Sequence, residues 1–367
     1  MAERAHSCLL AARYCSRSGH QTFSSLCLAF HRLQKNSSVK RTSLVLLLSA
    51  TILLFARGES KIIFVSQGGK GNGTSWTKAT GNLHEALLMA QPDDQIWVSK
   101  GIYRTSENND RTKSFRVPSG VKMYGGFLGF ETALEYRDPK NNPTLLSGEI
   151  GTPSIADNAF TVVFTQNVSE KTVIDGFYIT GGNANGKDKS RPMEYRGAAW
   201  YNLATDSKAS NPVIRNCTIT QNDAREGAGI LNLAMNQGTC RPTISNCSFL
   251  QNRAGLNGGA ILNLSMNGDC IPVITECLFE DNFASYGAGI FNEPWGGKVE
   301  PVIKHNVFRN NKALVRNGSI HNEYSSNGSC KPEIGGNHFE GNAASVGQEK
   351  NSPSNKSAGG NKSARYK

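Results

Sequence analysis

Four charged side chains form the only local group in the sequence whose composition suits acid–base chemistry. Glu280, Arg309 and Glu340 occupy matching positions in three successive copies of a 30-residue repeat, and His338 lies two residues before Glu340. Paired carboxylates beside a basic group can cleave a glycosidic bond or hold Ca²⁺. The competing interpretation is a solvated ladder of salt bridges, which contributes little at a surface. We favour the ladder, assign no catalytic residue, and keep these four as the alternative catalytic set.

A second group of side chains has the composition of a binding strip. The residue that follows the apolar residue of each small-residue turn is Tyr201, Leu231, Leu262, Phe291 or His321. Since strand residues alternate between faces, these point outward if the preceding Ile residues point inward, but a one-residue shift exchanges the faces. The strip is therefore either an exposed face, a face covered by a loop, or core. If it is exposed, we expect Tyr201, Phe291 and Trp295 to contact a glycan or a partner.

The elements that position both groups repeat along the chain. Proline recurs at Pro212, Pro242, Pro272, Pro301 and Pro332, in steps of 30, 30, 29 and 31 residues. Seven residues after each proline stands an apolar residue: Ile219, Phe249, Phe279, Phe308 or Phe339. Ten residues after it stands Asn222, Asn252, Asn282, Asn311 or Asn342. A further Asn follows each small-residue turn, at Asn232, Asn263, Asn292 and Asn322.

A fixed period near 30 residues indicates a solenoid. Each copy holds short apolar stretches separated by Asn, Gly and Pro, which favours strands over helices. Strands of successive turns would stack about 4.8 Å apart and bury a shared core. Equivalent residues should then form columns, so the repeat predicts one ladder of Phe and two of Asn, whose side-chain amides can pair along the axis.

The tetrapeptides of the repeat carry a family resemblance. "GGAI" at 258–261, with "FLQN", "FEDN", "FRNN" and "FEGN", resembles the GGAI and FxxN motifs of chlamydial polymorphic outer membrane proteins. More broadly, the chain is similar to secreted right-handed parallel β-helix proteins of the pectin-lyase-like superfamily. The resemblance implies an all-β, right-handed parallel β-helix and says little about activity.

The segment before the repeats predicts how the solenoid begins. "NLHEALLMAQPDD" places Leu83, Ala86, Leu87 and Ala90 on one face of a short helix, which we expect to cap the first turn because an open solenoid end exposes its core. The predicted organisation is a leader at 1–58, a cap and first turns at 59–171, regular turns at 172–346, and a disordered basic tail at 347–367.

Charge and hydropathy separate the two ends from the body. Residues 1–58 hold eight Lys or Arg and one Glu, and residues 348–367 hold five and one, so the ends account for the whole net charge of +11. A nucleic-acid partner for the neutral body is disfavoured. Residues 35–58 combine basic residues, the apolar run 44–55 and a small-residue exit, typical of a secretory signal peptide. We therefore expect secretion or an outer-surface location and no transmembrane span in the mature chain, an uncleaved anchor being the alternative.

The cysteines outside the leader follow the repeat. Cys217, Cys247 and Cys277 occupy one column position, which favours packing over metal or redox chemistry. Cys240 and Cys270 occupy matching turn positions, and whether they form a disulfide stays open. We expect no metal and no cofactor.

The sequence therefore favours a β-helix protein without catalysis, acting as an adhesive, structural or glycan-binding solenoid. The alternative is a polysaccharide lyase or glycoside hydrolase acting on acidic polysaccharide through the alternative catalytic set. A fragment of a larger surface protein is a third possibility. Any partner is expected to be a polysaccharide or a cell-surface glycan.

Overall fold

The computed structural model describes residues 60–188, 190–325 and 327–345. The predicted leader 1–58, with its signal peptide at 35–58, and the predicted tail 347–367 lie outside the described residues. The boundary expected near residue 171 stays a prediction.

Within these described ranges, thirty-five short strands form five parallel sheets that run along one axis. Sheet A consists of Ile62–Val65, Gln95–Ser99, Lys122–Phe127, Val173–Asp175, Val213–Arg215, Thr243–Ser245, Val273–Thr275, Val302–Lys304 and Glu333–Gly335. Sheet B consists of Gly101–Arg104, Thr144–Ser147, Tyr178–Thr180, Thr218–Thr220, Ser248–Leu250, Leu278–Glu280, Val307–Arg309 and His338–Glu340. Each strand inside a sheet pairs with its equivalents one turn before and one turn after, which confirms the predicted all-β parallel β-solenoid.

The other three sheets complete each turn. Sheet C consists of Phe115–Arg116, Val163–Gln166, Trp200–Ala204, Ile230–Met235, Ile261–Met266, Ile290–Trp295 and Ile320–Asn322. Sheet D consists of Asn183–Ala184, Asp223–Ala224, Arg253–Ala254, Phe283–Tyr286, Lys312–Arg316 and Ala343–Ala344. Sheet E consists of Ala209–Ser210, Thr239–Cys240, Asp269–Cys270, Lys298–Val299 and Ser329–Cys330.

Single left-handed residues make the corners between these sheets. Between sheets A and B, Asn216, Asn246, Glu276 and His305 have φ values of 52°, 49°, 55° and 57°. Glu seldom adopts this region, because the Cβ crowds the backbone there. The backbone pairing of the flanking strands in every turn holds these residues in place, so the corner geometry is imposed by stacking.

A column of phenylalanines fills the core. The rings of Phe249, Phe279 and Phe308 are fully buried and stack with centroids 4.8 and 4.6 Å apart, nearly parallel. Phe339 continues the stack at 5.1 Å from Phe308. This offset stacking adds to the stabilisation from burial alone.

Two ladders of asparagine run beside the core. In the first, each amide Nδ2 donates to the Oδ1 of the next turn at 2.8–3.1 Å, in the order Asn222, Asn252, Asn282, Asn311 and Asn342. In the second, the same bond measures 2.8–2.9 Å along Asn232, Asn263, Asn292 and Asn322. The amides satisfy one another, so polar side chains can be buried at every turn.

A short α-helix lies at the N-terminal end of the described solenoid. Helix α1 spans Leu83–Met89, and Asn82 is its N-cap. The Asn82 side chain accepts from the backbone N–H of His84 and Glu85 at 3.0 and 3.3 Å. Its buried residues Leu83, Ala86 and Leu87 join the main core. The helix is where the sequence predicts it, and its role as a cap stays a prediction.

Four 3₁₀ helices of three residues each lie in the connections of the described part of the chain. They are Trp76–Lys78, Leu134–Tyr136, Ile155–Asp157 and Pro192–Glu194. Within the part of the chain that the structure describes, no helix has the length and hydropathy needed to cross a bilayer.

Candidate functional site

The predicted alternative catalytic set is an ion-paired ladder on the outer face of sheet B. Arg309 donates from Nη1 to Glu280 Oε1 and from Nε to Glu340 Oε2, both at 3.1 Å. His338 Nε2 lies 4.0 Å from Glu340 Oε2. The hydrogen bonds to Glu280 and Glu340 raise the pKa of the Arg309 guanidinium, which therefore stays charged and holds both carboxylates. This arrangement favours the salt-bridge interpretation, and the catalytic alternative stays a prediction.

The predicted aromatic strip is on the outer face of sheet C but is not exposed. Ile230, Ile261 and Ile290 lie in the main core, whereas Leu231, Leu262 and their equivalents form a second apolar cluster. Tyr201 and Phe291 are each only 3% exposed, so neither side chain has the solvent exposure that the binding-strip alternative requires. Trp295 is 47% exposed and is the one member of the predicted ligand-binding set that a glycan could reach.

Close approach by the neighbouring corner explains why this strip is buried. Gly227 and Gly258 have φ values of 63° and 66°, and a Cβ at either glycine would lie about 3 Å from Leu262 atoms. Because glycine has no Cβ, the corner between sheets D and C can pack directly against the strip. Met193 and Tyr286 pack against the same cluster. Of the alternatives left open by the sequence, a covered face is the one that the structure shows.

A cluster of carboxyl groups that the sequence analysis missed lies at the C-terminal end of this face. Glu293 and Glu323 follow the paired residues Asn292 and Asn322, so they stand on adjacent turns. Burial raises the pKa of Glu293 to about 7, and the nearby carboxylate of Glu226 raises it further. A hydrogen bond from His321, at 3.2 Å, lowers the pKa of Glu323 despite its partial burial. The environment therefore separates the pKa values of two neighbouring carboxyl groups, as acid–base pairs require.

The cysteine columns are buried and unbridged. All six cysteines among the described residues are free, including Cys240 and Cys270, which pair across sheet E. Burial raises the pKa of the Cys240 and Cys247 thiols well above the ordinary value, so they are poor nucleophiles. Within residues 60–345 as described, no three His, Cys, Asp or Glu side chains are placed to hold a metal ion.

An open groove of about 790 Å³ lies where sheets A and B meet. Its floor is a column of strand residues, Tyr178, Thr218 and Ser248, which pair in register on successive turns of sheet B. Beside this column lie the exposed corner residues Asn216 and Asn246, joined by a 2.6 Å amide hydrogen bond. The floor therefore presents hydroxyl and amide groups at an interval of about 4.8 Å, the spacing of stacked strands.

A long connection between sheets A and B forms the wall of the groove. Sixteen residues, 128–143, separate Phe127 from Thr144, whereas later turns use two residues at this corner. Its first bend is held by Glu131, whose carboxylate accepts from the backbone N–H of Leu128, Gly129 and Phe130 at 2.6–3.1 Å. Burial alone would raise the pKa of Glu131, but these hydrogen bonds lower it, so the bend is held by an ionised group.

A buried ion network fastens this wall to the solenoid. Asp175, 1% exposed, accepts from Arg137 Nη2 at 2.6 Å and from Arg215 Nε at 2.7 Å. Asn216 Nδ2 donates to the same carboxylate at 2.8 Å. Arg137 comes from the wall, whereas Arg215 and Asn216 come from the solenoid turn beside the floor, so one carboxylate ties the wall to that turn.

The charges that line the groove balance. Glu135 and Asp138 on the wall are matched by Arg137 and Lys140. The side chain of Asn141 and its backbone N–H donate to Asp138 and lower its pKa, so this carboxyl group is ionised and is not poised as an acid. The groove is thus a polar, nearly neutral surface with one aromatic side chain, Tyr178.

Two protein-family models match the chain. The model of the family described as protein of unknown function, DUF1565, matches residues 68–269. The chain belongs to this family. The model described as right handed beta helix region matches residues 191–359, which agrees with the predicted handedness of the solenoid. No curated protein matches the chain.

Two solved structures are similar to the chain at low identity. The GH136 lacto-N-biosidase from Eubacterium ramulus is 11% identical, with a TM-score of 0.35, and the alignment covers 81% of this chain and 71% of that one. The pectin methylesterase from Aspergillus niger in deglycosylated form is 12% identical, with a TM-score of 0.37, covering 82% of this chain and 92% of that one. We transfer no activity from either structure.

Proposed function

We propose that this β-helix binds a polysaccharide or cell-surface glycan in the groove between sheets A and B, without cleaving it. The observation that carries the proposal is the floor of the groove, where Tyr178, Thr218 and Ser248 stand in register on successive turns. A glycan is a chain of sugar units, each of which carries several hydroxyl groups. A floor that repeats hydroxyls and amides along one axis can form hydrogen bonds with successive units.

Tyr178 supplies the apolar part of the interaction. Its half-buried ring lies at the N-terminal end of the floor column and has a polar tip, the combination that lets aromatic residues contact amphipathic ligands. Sugar rings present apolar C–H faces between their hydroxyls and can stack on such a ring. The balanced charge of the wall favours a neutral glycan over a strongly acidic one.

We propose binding without cleavage because Arg137 and Asp138 in the groove are held in their charged forms. Arg137 is bonded to the buried Asp175, and the pKa of Asp138 is lowered by its bonds to Asn141. General acid catalysis near neutral pH needs a carboxyl group whose pKa is raised. We further propose an adhesive or structural role outside the cell, which rests on the signal peptide expected at 35–58.

A glycan array and a matched pair of variants test the proposal. Wild type should bind a subset of neutral glycans, and Tyr178→Ala should weaken that binding at least tenfold. Tyr136→Ala is the control, because Tyr136 is 65% exposed and lies in the same wall without lining the groove. Equal binding by wild type and Tyr178→Ala, or no binding to any glycan, would refute the proposal.

A second candidate function is glycoside hydrolysis at the carboxyl cluster of sheet C. The specific observation is the separation of the pKa values of Glu293, raised to about 7, and Glu323, lowered, on adjacent turns beside the exposed Trp295. Glu293 would donate a proton to the leaving oxygen, and Glu323 would act as nucleophile or base. Release of reducing sugar from a polysaccharide panel by wild type, abolished in Glu293→Gln, would establish this function. No release from any substrate would reject it.

A further inference from the structure

Buried oxygen atoms without hydrogen-bond partners gather in the first turns of the solenoid. Among the described residues, these are Asp157 Oδ1, Asn158 Oδ1 and Asn183 Oδ1, together with the hydroxyl oxygens of Thr105 and Ser114. Asn158 and Asn183 are only 3% and 4% exposed. Buried polar atoms in native proteins are nearly always paired, so a group of unpaired acceptors in one region indicates a place for a donor or a cation.

Asn158 and Asn183 come from two segments that bind each other through these side chains. Asn183 Nδ2 donates to Ile155 O at 2.5 Å, and Asn158 Nδ2 donates to Gly181 O at 2.7 Å. Each amide is therefore held through its nitrogen, which leaves its Oδ1 as the unpaired acceptor. Because Asp157 precedes Asn158 directly in the chain, its carboxylate belongs to the same region.

Asp157 supplies the negative charge of this group. Thr152 donates to its Oδ2 from Oγ1 at 2.7 Å and from the backbone N–H at 2.9 Å. These hydrogen bonds lower the pKa of Asp157, so its carboxyl group is ionised near neutral pH. Only Oδ2 is satisfied in this way, whereas Oδ1 is buried without a donor among the described residues.

A positive side chain in this region binds other oxygens. Arg111 donates from Nε to the backbone oxygen of Asn158 at 2.6 Å and from Nη2 to the backbone oxygen of Asn183 at 3.0 Å. Its Nη2 also donates to Asn185 Oδ1 at 2.7 Å. The guanidinium therefore holds the main chain of the two segments, and their side-chain oxygens remain for a separate cation.

We propose that Asp157, Asn158 and Asn183 hold a Ca²⁺ ion. Carboxylate and amide oxygens are donors that Ca²⁺ takes in proteins, and water completes its shell of about 6–8 oxygen ligands. With a single carboxylate, this donor set is distinct from a cluster of three His, Cys, Asp or Glu side chains, which the described residues do not form. The ion fastens the two segments together, and the site does not depend on glycan binding.

Thermal unfolding of the full chain, stripped of metal with EDTA and then supplied with Ca²⁺, tests the proposal. A ligand that binds only the folded chain stabilises it, so Ca²⁺ should raise the melting temperature of wild type. Asp157→Asn removes the charge with little change of shape and should abolish that rise. Asp188→Asn is the matched control, because Ser190 donates to the exposed Asp188 in the same pattern, from Oγ at 2.7 Å and from the backbone N–H at 2.9 Å. Its rise should equal that of wild type.

Calorimetric titration and hydrogen exchange of wild type provide readouts that do not depend on a variant folding. Wild type should bind a single Ca²⁺ per chain, and the backbone amides of residues 155–158 should exchange more slowly with Ca²⁺ present, while those of residues 273–280 should not change. The absence of both binding heat and a rise in melting temperature in wild type overturns the proposal. An equal rise in Asp157→Asn also overturns it, because the ion would then bind elsewhere.

Discussion

Truncating the central phenylalanine of the core column should cost much more stability than truncating the last one. Phe279 is fully buried and stacks on two rings, Phe249 at 4.8 Å and Phe308 at 4.6 Å. A buried Phe→Ala change removes apolar burial and leaves a cavity, which costs about 3–5 kcal/mol. Each lost ring pair contributes about 0.5–1.5 kcal/mol of that loss. Phe279→Ala should therefore fall at the upper end of the range.

Phe339→Ala is the matched substitution in the same column. Its ring touches one neighbour, Phe308, at 5.1 Å, and is half-buried. With one ring pair and roughly half of the burial, the expected loss is about 1–2 kcal/mol. With about 4–5 kcal/mol for Phe279→Ala, the expected difference between the two variants is about 2–4 kcal/mol, large enough to measure.

Urea unfolding at equilibrium, followed by circular dichroism, measures both losses. The comparison is valid where the variants keep the wild-type slope against urea. Similar losses for the two variants, or a larger loss for Phe339→Ala, would refute the reasoning, because stacking from both sides would then have no energetic effect.

Three further predictions concern charged groups. Asp175→Asn should destabilise the chain by about 3 kcal/mol, because it leaves the buried Arg137 without its carboxylate. The same change should weaken glycan binding. Thermal unfolding measures the first effect, and the glycan array measures the second. The pKa of Glu293 is about 7 in the folded chain and 4.5 in the unfolded chain, so the folded chain binds this proton more tightly. The free energy of unfolding of wild type should therefore fall by about 3 kcal/mol as pH rises from 4.5 to about 7. Glu293→Gln should remove that fall in urea titrations at several pH values, and an unchanged pH profile would contradict the assignment. Arg309→Ala should change stability by less than about 1 kcal/mol, because its ion pairs are solvent-exposed; a loss of several kcal/mol would show that the ladder is structural.

The repeat carries enough information to predict the fold. Residues such as Phe279 and Asn252 recur at one period, and a stacked solenoid is the arrangement that lets like side chains meet at every turn. The sequence left open which face Ile261 and Leu262 take, and the structure places Ile261 in the main core and Leu262 in the second apolar cluster. The columns depend on local pattern alone, which is why sequence reasoning reaches them.

The candidate sites depend on what breaks the repeat, and the sequence analysis missed them for that reason. The connection 128–143 lies before the regular repeat, and only the structure shows that it forms the wall of a groove beside Tyr178. Glu293 replaces an apolar residue at the position of Leu264, and its raised pKa comes from burial and from Glu226, neither of which a pattern reveals. The burial of Tyr201 likewise depends on corner glycines pressing against its face.

The most direct test of the central claim is a crystal structure of the chain with the neutral oligosaccharide that it binds best on the array. We predict electron density for the sugar along the groove, with one ring over Tyr178 and hydroxyls within hydrogen-bonding distance of Thr218 and Asn216. Density at another surface, with the groove empty, would contradict the account.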